Sequence, residues 1–158
     1  MWHTVFIGLH AATATVALLA GLVTVSAGRA FELYRWMLVA MAASLIAALV
    51  AGWQEFSGGE RVIFPALLVL AVVMVYRAFA AGRMLPRTMS GPTAPYIDHV
   101  GFTLISLING FAVVAVLRAG APLWLMLVVA VSLAIAGHFA LAATKARVVR
   151  PQTAVPVH

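Results

Sequence analysis

Cysteine is absent from this 158-residue chain, and acidic residues number only four: Glu32, Glu55, Glu60 and Asp98. Without a thiol there is no disulfide, no iron–sulfur cluster, no thiolate zinc site and no cysteine nucleophile, so redox chemistry would need a bound cofactor. No Asp, Glu or Lys falls in the middle of an apolar run, where ion-coupled transporters and proton pumps carry theirs. A Gly-rich phosphate loop, a His-Glu-x-x-His pair, a helical pair of carboxylates and a serine elbow are all missing as well.

Charged residues make up 9% of the chain and hydrophobic residues 65%, against roughly 45–50% apolar residues in soluble domains. Ten Lys/Arg and four Asp/Glu cannot clothe a water-soluble surface, so most of the exterior must face a lipid bilayer. The net charge of +6 does not point to nucleic acid, because the arginines sit between apolar runs and no basic stripe is interleaved with aromatic residues.

Apolar runs at about residues 4–27, 36–54, 62–81, 99–117 and 122–143 each approach the roughly 20 residues a helix needs to cross a bilayer. The breaks between them read GRAFELYR, QEFSGGER, GRMLPRTMSGPTAPYID and RAGAP, which are turn-forming or basic stretches. VSA before Gly28 has the look of a signal cleavage site. The opening MWHTVF lacks the basic residues of a signal peptide, and the run that follows exceeds its usual 7–15 residues, so the first run is expected to stay as a helix.

Five crossings place the chain ends on opposite sides. Arg29, Arg35, Arg77, Arg83, Arg87, Lys145, Arg147 and Arg150 would share one side, leaving only Arg61 and Arg118 on the other. Cytoplasmic loops carry the excess of Lys/Arg, which predicts an outside N-terminus and a cytoplasmic C-terminus. Trp2, Trp53 and Trp124 then fall at outer ends, and Tyr34, Trp36, Tyr76 and Tyr96 at inner ends, as interfacial aromatic belts require.

On a helical wheel His3, His10, Ala14, Ala17, Gly21, Thr24 and Gly28 lie within about 40° of one line. Small residues in such a line let helices approach closely in lipid, so Ala14, Ala17 and Gly21 read as a packing groove. His10 lies well inside the membrane, where an imidazole needs a polar partner, and is a candidate ligand or proton-handling group. His3 is expected at the solvated interface.

In the fourth run His99, Thr103, Ser106 and Gly110 share a face. Ser106 and Gly110 form a small-xxx-small step, with hydroxyls and Asn109 expected to bond across helices. Asp98 reads as a carboxylate favoured by the positive end of a helix dipole. His99 and His138 are histidines on different helices at similar predicted depth, the one pair able to bracket a haem iron. His10 with Met126 is a second, outer arrangement, and haem b is the cofactor either implies. Glu55 and Glu60 flank an SGG turn and read as solvated loop charges.

HAATATVALLAGLV from His10, followed by a basic loop and LYRWMLVAMAASLIAALVAGW, resembles a family of uncharacterised small bacterial membrane proteins. In that family the first helix opens with His-Ala and the second is entered through His-Arg or His-Arg-Trp; DHVGFTLISL is similar to a later histidine-bearing entry. The resemblance marks His10, Arg35, Trp36 and His99, and this chain has Tyr34 where the family places a histidine. It implies the architecture and brings no established activity.

The expected fold is thus an all-α bundle of five transmembrane helices over residues 1–145, with a cytoplasmic tail at 146–158, in a bacterial plasma membrane. Three roles fit it. One is an accessory subunit meeting a membrane partner or a second copy through its small-residue grooves. Another is a haem-carrying redox protein using His99, His138 and His10. The third is a carrier for a small neutral or lipid-like compound.

Overall fold

A computed structural model describes residues 2–27, 29–84 and 93–148 of the chain. They form five helices and, among the described residues, no strand: α1 (Trp2–Ala27), α2 (Phe31–Gly52), α3 (Glu60–Arg83), α4 (Ala94–Arg118) and α5 (Leu123–Val148). At 22 to 26 residues each, they measure about 33–39 Å, enough to cross a hydrocarbon layer of about 30 Å. This is a multi-pass membrane protein by the length and apolarity of all five helices.

The helices exceed the apolar runs at several ends. α2 begins at Phe31 and α4 at Ala94, five residues ahead of the expected starts. Hydropathy detects the hydrocarbon segment, whereas a helix continues through the headgroup layer, where Glu32, Arg35 and Asp98 can be helical and charged. For the same reason α5 runs through Val148, past the boundary expected at residue 145. The tail beyond it, Gly28 and the loop at 85–92 lie outside the described residues.

Local chemistry sets the helix ends. Ser57 and Glu60 form a capping box at the start of α3: Ser57 N–H and Oγ both donate to Glu60 Oε2 at 2.8 Å. Glu60 is therefore engaged by the turn and is no free loop charge. α4 closes in a Schellman turn, with Ala121 N–H to Val116 O at 3.3 Å and Gly120 N–H to Leu117 O at 3.0 Å. Gly120 supplies the φ of +70° this turn needs. Pro122 then ends the linker, and its carbonyl accepts the first amides of α5. Ala30 holds a φ of 65° at the start of α2, a left-handed geometry that strains a residue with a Cβ.

α1 to α4 stand in a ring, each beside the next, and α1 closes it by packing on α4. α5 lies outside the ring against α4 alone among the described residues. The α1 stripe is the inner seam: Ala14, Ala17 and Thr24 are buried. A Cβ on Gly21 would lie 2.6 Å from Leu104 Cδ2 and 3.0 Å from the Tyr34 ring.

The α4–α5 seam uses glycines that the periodicity did not single out. A Cβ on Gly101 would meet Leu141 at 2.3 Å, and one on Gly137 would meet Ile105 at 2.6 Å. Gly110, by contrast, would meet nothing within 4 Å, so the Ser106–Gly110 step is not a close helix contact within this chain.

At the basic end a cation ties three neighbouring pairs of helices, α2 with α3, α3 with α4 and α4 with α5. Arg35 on α2 lies over the Phe79 ring of α3 (5.1 Å), and Arg77 on α3 over Phe102 of α4 (4.2 Å). Lys145 on α5 donates to Asp98 of α4 at 2.7 Å. Asp98 is thus an interhelical ion-pair partner. Tyr34 and Tyr96 lie at this end as expected, yet they turn inward: both are buried, with the Phe31 ring 5.9 and 6.0 Å from theirs. Trp2, Trp36, Trp53, Tyr76 and Trp124 face outward.

Candidate functional site

The ring is filled unevenly along its length. Towards the basic end Tyr34, Leu38, Ile97, Val100 and Thr103 are fully buried. Towards the other end the four helices line a half-open cavity of about 750 Å³, within the roughly 300–1,000 Å³ typical of small-molecule sites. Small side chains leave this space open: Ala11 and Ala14 on α1, Ala48 on α2, Ala71 on α3, and Ser106 and Gly110 on α4. Phe64, Met74, Leu107 and Phe111 provide apolar walls. Glu55, Glu60 and Arg118 line it near the helix ends, so a charged rim surrounds an apolar interior.

Two imidazoles line the same cavity at different depths. His10 stands eight residues beyond the start of α1, about 12 Å down the helix. Its Nδ1 is 3.0 Å from the backbone carbonyl of Met41 on α2. A carbonyl only accepts, so Nδ1 carries the proton and Nε2 holds a lone pair in the neutral ring. Among the described residues Nε2 has no hydrogen-bond partner, and it is not fully occluded. His10 is one of the residues that line the cavity.

His3 differs from the solvated group expected at the interface. Its ring packs on Phe56 edge to face at 5.5 Å and lies over Gly52, where a Cβ would come within 2.5 Å of it. Its Nε2 is buried without a partner.

The structure does not bring His99 and His138 together. Contacts of Asp98 with Lys145, Gly101 with Leu141 and Ile105 with Gly137 fix the antiparallel register of α4 and α5. His138 is thereby level with Leu104, about 7.5 Å along the axis from His99. It also points away from the bundle and is exposed, beside Phe139. The imidazole of His99 lies on the α4 face bearing Thr103, nearly opposite the Gly101 face that meets α5; its Nδ1 is buried without a partner. Two ligands so disposed cannot bracket one iron. Met126 is buried on α5, outside the ring, and is not among the residues lining the cavity with His10. Among the described residues no three His, Asp or Glu side chains cluster as a metal site would need.

Cross-helix bonding by hydroxyls also takes another form. Thr103 donates to His99 O at 3.0 Å, Ser44 to Met41 O at 2.9 Å and Thr13 to Leu9 O at 2.8 Å, all within their own helices. Asn109 Oδ1 is buried and unpartnered. The membrane interior offers no water, so a hydroxyl returns to its own preceding turn at little conformational cost.

Comparison with family models, curated protein sequences and solved structures finds no match. The site is therefore read from its own geometry. Of the residues picked from the sequence, His10, Ala14, Ser106 and Gly110 meet around one cavity, whereas Ala17 and Gly21 pack below it. Arg118, Glu55 and Phe111 join them from elements whose neighbours periodicity cannot supply. Ser-x-x-Glu at Ser57–Glu60 was a legible capping signal that a hydropathy reading passes over.

Proposed function

We propose that the protein binds a small, lipid-like molecule in the hollow half of its helix ring. The single observation that carries this reading is the 750 Å³ cavity with apolar walls and a charged rim. A void of that size in a membrane protein forgoes packing contacts that otherwise hold helices together. A resident apolar molecule would restore them. With the basic end in the cytoplasm, as the distribution of arginine favours, the cavity lies in the outer half of a bacterial plasma membrane, and its occupant enters from that leaflet.

The accessory-subunit reading draws less support, because the α1 groove it relied on is covered by α2 and α4. The haem reading keeps only His10 of its three histidines in the cavity. Its reference test is a visible spectrum of protein expressed with haem supplied. A Soret band lost in His10→Ala would restore it.

Gly110→Trp tests the binding reading directly. A Cβ at Gly110 meets nothing, so the indole can enter the cavity without displacing the backbone. Protein extracted in polymer-bounded native discs should carry an amphiphile enriched over bulk lipid, detected by mass spectrometry, and Gly110→Trp should carry less than about a tenth as much. Identical lipid profiles for the two proteins would overturn the proposal.

A further inference from the structure

We infer that the cavity recognises an amphiphile whose polar end donates a hydrogen bond, such as an alcohol or phenol, over one that only accepts. The inference rests on the binding reading above and adds the class of ligand. Within the apolar interior, His10 offers an imidazole already oriented by a second bond. Its Nδ1 proton is committed to Met41 O at 3.0 Å, which holds the ring and leaves Nε2 as a lone-pair acceptor. The rim beyond it is also rich in acceptors, with Glu55 and Glu60 against one cation, Arg118, among the described residues. Glu60 accepts both donors of Ser57, so its carboxylate is held by its own turn.

A hydroxyl arriving at His10 satisfies the nitrogen, whereas an ether or ester oxygen meets it lone pair to lone pair. An unpaired polar contact in an apolar site is costly, so a site shaped around one donor rejects the analogue that lacks it. Ser106 faces the same cavity from α4. Alcohols and phenols satisfy the acceptor on His10, and phenol ethers do not.

The test uses 4-nonylphenol and its methyl ether, equal in apolar tail and differing in one donor. Binding of each to the full chain in nanodiscs is measured by quenching of the intrinsic tryptophans and by native mass spectrometry. In the wild type the phenol should bind at least about tenfold more tightly than the ether. His10→Leu should bring that ratio close to one while retaining ether binding, and Gly110→Trp should weaken both ligands. Equal affinities in the wild type, or a ratio that persists in His10→Leu, would overturn the donor preference and leave the cavity reading standing. Failure of the wild type to bind either probe would overturn both. The wild-type comparison needs no variant, so it decides the matter even if His10→Leu does not fold.

Discussion

At Ala30 and Tyr34 the chain carries two local costs, each within a turn of the other. Ala30 takes a φ of 65°, a geometry that costs an L-residue roughly 1–2 kcal/mol. Ala30→Gly removes that strain, offset in part by the greater freedom of glycine in the unfolded chain. The expected outcome is a gain of about 0.5–1 kcal/mol, read as a higher melting temperature in detergent. Tyr34 is fully buried beside Thr103, yet among the described residues its hydroxyl has no partner in hydrogen-bonding geometry. Removing an unsatisfied buried hydroxyl while keeping the ring leaves the packing intact. Tyr34→Phe should leave stability unchanged or raise it. A loss beyond about 1 kcal/mol would mean that the hydroxyl is bonded after all.

Among the described residues α5 is held by α4 alone, with two glycines and an ion pair at the contact. Gly101 and Gly137 let α4 and α5 approach closely, as small residues do in lipid. Leucine at either position would clash with Leu141 or Ile105 within ordinary contact distance. Gly137→Leu should therefore separate α5 from α4, seen as a longer distance between spin labels attached at the exposed residues Ile108 and Ile135. The same substitution at Gly110 should leave that distance unchanged, since nothing opposes a Cβ there. The contrast explains how far the sequence could be read. All five helices were visible as apolar runs, and Ala14, Ala17 and Gly21 as residues of one face, because their spacing follows a single helix. Gly101 and Gly137 were not singled out, and Gly110 was read as a contact, because which small residue meets a neighbour depends on helix rotation and register. Those are set by long-range pairs such as Asp98 with Lys145. His99 and His138 mislead for the same reason: similar predicted depth says nothing about facing direction.

Across the whole molecule the ring divides into a packed half near the basic end and a hollow half near the other. In lipid the transfer of a leucine from its surroundings contributes little, and what remains is the loss of close packing when a side chain is cut back. Leu38 is fully enclosed, so Leu38→Ala leaves a void in the packed half and should cost about 2 kcal/mol. Leu67 lines the open cavity and lacks partners on that side. Leu67→Ala merely enlarges a space that already exists, and its cost should stay below about 1 kcal/mol. Unfolding titrations in mixed micelles of detergent and SDS measure both. The comparison carries a second arm, because a ligand in the hollow half would supply the contacts that the protein itself lacks. With a bound alkylphenol the cost of Leu67→Ala should rise towards that of Leu38→Ala, while the latter stays as it was. A penalty at Leu67 unmoved by saturating phenol would place the molecule elsewhere than between these four helices.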